Sequence, residues 1–166
     1  MMGADILKLI RAIPAPVLIV QKESRIQEEG FKKLVFPVGG HENFGRQIEA
    51  AVLMARIFSL EIQIYSVRKV GDEWTPTLKK NIRESEEAFQ RNDIPYSRID
   101  EEANVFSVGY ARQTLKFAAN SGSDIISIMS DPTREHYYFA QADKQEILTN
   151  EHHIPVLSTS DTGPDD

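Results

Sequence analysis

"LVFPVGGHENFGRQIEAAVLMARIFSLEIQIYSV", residues 34–67, decides the fold. The apolar run "KLVFPV" at 33–38 reads as a strand closed by Gly39-Gly40, a pair that suits a tight strand-to-helix turn. Asn43 is positioned to cap a helix, and Phe44, Ile48, Ala51, Val52, Ala55 and Phe58 recur at three- and four-residue spacings. "EIQIYSV" at 61–67 then alternates apolar and polar side chains, the pattern of a second strand.

The same alternation continues downstream. "GDE" makes a turn, and Thr75-Pro76 places a capping hydroxyl just before a proline at the first helical position. The helix that follows has a thin apolar stripe, Leu78, Ile82 and Phe89, opposite a solvated face of charge. "IPYSRI" at 94–99 is a short strand whose early proline marks an edge position. A third helix is predicted over 105–121 with Val108, Ala111, Leu115 and Ala118 on one side and Gly122 just past its end. "DIISIM" at 124–129 is almost continuously apolar, as a strand buried on both faces should be. A fourth helix is expected over 136–151, and "IPVLST" at 154–159 closes the unit. Strands alternating with helices imply an α/β fold: a doubly wound, five-stranded parallel sheet with helices on both faces.

One phrase occurs twice. "PAPVLIVQ" (14–21) and "HIPVLSTS" (153–160) each put Pro-Val-Leu at the head of a short apolar run after a helix-like segment. The two lie 139 residues apart, and that offset also lays Leu9 on Leu148, Val17 on Val156 and Leu18 on Leu157. A repeat near one domain length is the mark of a tandem array; chance recurrence of a common helix–proline–strand junction is the competing explanation. The repeat predicts that 1–20 is the closing helix–strand of a preceding similar domain. A charged linker would follow at 21–30, then a complete domain over 31–160 and a disordered acidic tail at 161–166. An unpaired apolar strand edge promotes association. Val17, Leu18 and Ile19 are therefore expected to pair antiparallel with Val156, Leu157 and Ser158, in the same chain or in a dimer partner.

Composition narrows the function classes. With 166 residues, 41% hydrophobic and 27% charged, the chain can bury a real core. The longest apolar candidate, "ILKLIRAIPAPVLIV", is broken by Lys8, Arg11, Pro14 and Pro16, so no membrane span is expected. There is no secretory signal pattern and no cysteine, which suits a cytoplasmic protein without disulfides or thiolate chemistry. A net charge of -6 without a basic cluster argues against nucleic acid as a partner.

The residues of 34–67, with "SGSDIISIMS" and "ILTNEHHIPVLSTS", resemble the universal stress protein family in order and spacing. "ILKLIRAIPAPVLIV" resembles the closing element of a preceding domain of that kind. The resemblance implies dimers or tandem pairs joined through the closing strands. It also implies a crevice over the first and fourth strands of the domain, where many members hold ATP. Such members close the first strand with an aspartate and wrap the phosphates in a glycine-rich run after the fourth. Here Gly39 stands at the aspartate position, and no glycine occurs between Gly122 and Gly163. Only glycine lets backbone close on a phosphate with positive φ at low cost. Pro132, Tyr137, Tyr138 and Phe139 add bulk in that run, and Asp131 and Glu135 add negative charge against one Arg134. The chain is therefore expected to lack tight ATP binding and any cofactor, leaving a crevice of Val38, Gly39, Gly40, His41, Ser130 and Asp131.

Other chemistries fare less well. A phosphorelay receiver would need an acidic pair where Gly39-Gly40 stand and a lysine where Ser158-Thr159 stand, although Asp100 could pass for its phosphorylated residue. His41 and His136 fall at two strand tips, but adjacent His152 and His153 point apart, so no metal is expected. "NSGSD" precedes a strand rather than a helix and makes no nucleophile elbow. The sequence thus predicts a non-enzymatic regulatory domain acting by self-association or tandem pairing. The alternatives are a nucleotide-binding stress domain with an atypical phosphate loop, or a sensory domain attached to a larger protein.

Overall fold

The computed structural model describes residues 2–103, 110–131 and 141–160. In chain order these form α1 (Met2–Arg11), β1 (Val17–Ile19), β2 (Lys33–Pro37), α2 (Gly45–Phe58), β3 (Glu61–Arg68) and α3 (Pro76–Arg91). β4 (Tyr96–Glu102), α4 (Tyr110–Asn120), β5 (Ile125–Met129), α5 (Gln141–Leu148) and β6 (Val156–Thr159) follow. The strands make one sheet in the order β1-β6-β5-β2-β3-β4. Neighbours from β6 through β4 run parallel, and β1 adds to β6 antiparallel. Among the described residues the sheet thus has six strands, the expected five and the strand of the N-terminal segment, which joins them as an edge.

Strand composition explains the order. β2, β3, β5 and β6 carry the residues most completely removed from water, among them Leu34, Val35, Ile62, Ile64, Ile126 and Val156, all at 0% exposure. β4 alternates half-buried and exposed residues, and Arg98, Asp100 and Glu102 crowd this free edge with charge that discourages strand addition. The strand begins at Tyr96, just after Pro95, and continues past the expected end to Glu102, paired throughout with β3.

Ring contacts fix which helix covers which face. Phe36 packs edge-on against Phe44 and against Phe89 of α3. Tyr65, which follows Phe36's partner Ile64 and so points the other way, stacks on Phe117 of α4 at 4.5 Å. So α2 and α3 lie on one face and α4 on the other, where α5 packs on α4 and α1 on α5. Thr75 caps α3, its Oγ1 accepting from the Leu78 N–H at 3.2 Å, with Pro76 at the first helical position. α2 differs from expectation: its N-cap is Phe44 rather than Asn43, because residues 42–44 already turn into the helix. Gly122, just past α4, takes φ +66, as a helix-ending glycine does. The first residues expected for α4 and α5 lie outside the described segments. No helix among the described residues is long and apolar enough to cross a membrane.

The stretch between β1 and β2 is tied down at one end. Gln21 Nε2 donates to the Asn150 carbonyl at 3.2 Å, and the Ser24 hydroxyl donates to the His153 carbonyl at 2.7 Å. Asn150 closes the junction from α5 to β6: its Nδ2 donates to the Ile147 and Ile154 carbonyls, and its Oδ1 accepts from the Ile154 N–H.

Candidate functional site

From β2 the chain runs outward through β3 and β4 on one side and, after crossing back, through β5 and β6 on the other. The reversal lies between β2 and β5, and a doubly wound sheet opens its crevice at the carboxyl ends of such a pair. Val38, Gly39, Gly40 and His41 leave β2 there, and Ser130 and Asp131 leave β5 at the same end. The expected crevice residues thus share one end of two neighbouring strands.

The β2 side is held by α3. Asn81, 2% exposed, donates from Nδ2 to the carbonyls of Gly39 at 2.8 Å and His41 at 2.9 Å. The Ser85 hydroxyl bonds the Asn81 carbonyl one turn away at 2.7 Å. Val38 N–H donates to Tyr65 at 2.9 Å, extending the ladder past the strand, and buried His41 stacks over Phe44.

The β5 side is held by cations. Arg11, at the end of α1, donates from Nε to the Ser130 carbonyl at 2.7 Å. Lys144 of α5, 1% exposed, donates from Nζ to the Asp131 carbonyl. Burial pushes the Lys144 ammonium down to about 8, neighbouring Arg11 pushes it the same way, and the Asp131 carboxylate opposes both. Ser130 is fully buried, its N–H and hydroxyl both directed at the Thr159 carbonyl of β6. The residues 132–140, which include Arg134, Glu135, His136, Tyr137, Tyr138 and Phe139, lie outside the described segments.

At the tip of β3, Tyr65 donates to Glu101 Oε2 at 2.7 Å, and Gln113 Nε2 donates to the same oxygen at 2.9 Å. Burial, reinforced by Glu101, pushes the phenol well above its ordinary range, so this tyrosine stays protonated. Asp100 accepts from the Ser66 hydroxyl at 2.6 Å and pairs with Arg98, a structural ion pair on the edge strand. Among the described residues no three His, Asp or Glu side chains gather as metal ligands. His152 is exposed beside Glu151, and His153 contacts Gln21 through Nδ1 at 3.1 Å.

At the sheet edge, Val17 pairs with Ser158, Leu18 with Leu157 and Ile19 with Val156, within one chain. β6 is buried throughout and its outer edge is covered by β1, whose own side chains are half-buried. The Ser160 hydroxyl donates to the Ile13 carbonyl at 3.3 Å, and α1 sends Leu7 (0%) and Ile10 (4%) into the core. Sequence reasoning missed Arg11, Asn81 and Lys144. Each bonds backbone outside its own helix, 119 residues away for Arg11, 42 and 40 for Asn81 and 13 for Lys144, and no local pattern announces such a contact.

No family model matches the sequence, and no curated protein does. Solved structures do. A universal stress protein from Archaeoglobus fulgidus DSM 4304 superposes with a TM-score of 0.65 at 15% identity, over 96% of this chain and 54% of that one. The chain thus spans about half the length of that protein. Hypothetical protein MJ0577 matches at 0.62 and 14% identity, over 80% of this chain and 97% of its own. A universal stress protein solved in complex with cAMP matches at 0.54 and 12%, over 80% and 98%. The fold of this chain is that of the universal stress proteins on which it superposes.

Proposed function

We propose that this chain is a regulatory domain of the universal stress type that works through pairing at its closing strand, without catalysis and without tight ATP binding. The observation that carries the reading is the antiparallel register of β1 on β6, which places a second helix–strand unit against the closing element of the domain. The coverage of the matches agrees with a tandem origin. The relative that uses 96% of this chain gives up 54% of its own length, whereas those matched over 97% or more of theirs use 80% of this one.

Two features of the crevice weigh against a polyphosphate. No glycine stands between Gly122 and Gly163 to supply a close-fitting loop. At the tip of β5, Arg11 and Lys144 are bonded to backbone carbonyls. Cytoplasmic residence fits the absence of cysteine.

Removing residues 1–20 tests the pairing. The shortened chain would expose the β6 edge and lose Leu7 and Ile10 from the core, so its melting temperature should fall or its mass in light scattering should rise. An unchanged mass together with an unchanged melting temperature refutes the reading. Calorimetry of the full chain with ATP and magnesium should show no micromolar binding. A second reading, nucleotide binding in an atypical crevice, is favoured by the relative solved with cAMP. Saturable heat on titrating cAMP, lost on substitution at Ser130, would establish it over the first.

A further inference from the structure

A second cleft, apart from the crevice, opens on the face of the sheet that α2 covers. It has a volume of about 390 Å³, within the range of small-ligand sites, and its lining includes Pro14, Pro16, Arg46, Ala50, Leu53 and Thr159. Its walls are apolar: Pro14 and Pro16 on the connection from α1 to β1, Ala50 and half-exposed Leu53 on α2. Arg46, Glu49, Thr159 and Ser160 supply its polar groups.

Thr159 faces this cleft by register. Ser127 points at α2, because Gln47 Nε2 donates to its hydroxyl at 3.2 Å. Ser127 pairs with Leu157, and Met129 with Thr159, so Thr159 points to the same side two residues further on. Thr159 is 4% exposed, and its hydroxyl oxygen has no hydrogen-bond partner among the described residues. A buried hydroxyl left in that state loses its hydration without compensation, so a group that bonds it gains more than a surface hydrogen bond would.

Arg46 stands in the first turn of α2, where no acidic residue occurs and the helix dipole adds positive potential. It makes no ion pair among the described residues. Glu49, one turn on, also lines the cleft. An anion bonded by Arg46 is favoured there, but a second negative charge would meet Glu49.

We propose that this cleft binds a small amphipathic monocarboxylate. Its carboxylate takes a charge-assisted bond from Arg46 and a hydroxyl bond from Thr159, and its hydrocarbon part lies between Leu53 and the prolines. The Glu49 carboxylate discriminates against polyanions. The cleft lies beside the crevice between β2 and β5, and its walls depend on the β1–β6 register that brings Pro14 and Pro16 to Thr159.

Sodium hexanoate is the probe, titrated into the full chain and followed by amide chemical shifts, with inorganic phosphate and hexylamine as the contrasting arms. Saturable shifts at Arg46, Leu53 and Thr159 are expected with hexanoate alone. Arg46→Gln should weaken binding about tenfold or more, the loss of one charge-assisted bond. Thr159→Val keeps the side-chain shape and should weaken it severalfold, while raising the melting temperature of the free protein. Three results overturn the proposal: no saturable shift up to about 100 mM hexanoate, equal binding of hexylamine, or undiminished affinity in a folded Arg46→Gln variant.

Discussion

Replacing Lys144 by methionine tests the cationic end of the crevice. Lys144 Nζ is buried against the Asp131 carbonyl with Arg11 nearby, and these surroundings take its pKa from 10.5 down to about 8. The gap, at about 1.4 kcal/mol for each pH unit, amounts to about 3 kcal/mol of disfavoured charge in the folded protein at neutral pH. The sign follows from proton counting. Between pH 8 and 10.5 the unfolded chain keeps the proton that the folded chain has released, so stability rises with pH across that window. Below pH 8 both states hold the proton and the full penalty is present.

Urea unfolding of the wild type and of Lys144→Met, compared at intervals from pH 7 to 9.5, isolates the effect. The wild type should gain about 2 kcal/mol relative to the variant over that range. Measurements stop short of pH 10 because the Tyr65 phenol, pushed up by burial, contributes there with the opposite sign. Arg11→Gln should carry the rise to higher pH, since Arg11 helps lower the lysine. A stability difference between wild type and Lys144→Met that stays flat from pH 7 to 9.5 refutes the reasoning.

Asn81→Ala would strip the bonds from two buried carbonyls, those of Gly39 and His41, and should destabilise by about 2–3 kcal/mol in chemical denaturation. A loss below about 0.5 kcal/mol would mean the β2–α2 turn holds its shape without α3. Inside the core, Ser127→Ala leaves the whole Gln47 amide unpaired beside an Oε1 that already lacks a partner, at a cost of about 1–2 kcal/mol. Adding Gln47→Leu to that variant should recover most of the loss; a further drop in stability would show that the pair is tied into a wider network.

The fold was legible wherever the physics is local. The near-continuous apolar runs of β2 and β5 announce strands covered on both faces, and Thr75-Pro76 announces a helix start through one hydroxyl and one fixed φ. Asn43 shows the limit: a good capping residue does not cap when the chain turns into the helix before Gly45. The repeat of Pro-Val-Leu indicated two strands of one kind, and their register follows from it, since Val17, Leu18 and Ile19 meet Ser158, Leu157 and Val156. The crevice residues that leave β2 and β5 were legible from the strand order, but the side chains that hold their backbone were not. Arg11 read as a residue that breaks an apolar run, and Lys144 as one charge in a helix of weak pattern. Their meaning comes only from packing that brings α1 and α5 to the tip of β5.

That packing bears on what the crevice can hold. An anion at a strand tip needs N–H groups turned outward, as a glycine-rich loop supplies them. Here the Ser130 N–H is turned to the Thr159 carbonyl, and the carbonyls of Ser130 and Asp131 face Arg11 and Lys144. Arg11 and Lys144 each commit one donor to a backbone carbonyl there, so a phosphate at this tip would share both cations with those two acceptors. One of those cations, Arg11, belongs to the same helix that delivers β1 to the sheet edge. The contact that seats the N-terminal element and the contact that occupies the strand tip are therefore made by one segment. Displacing the N-terminal segment would therefore take a cation from the crevice as well as a strand from the sheet edge.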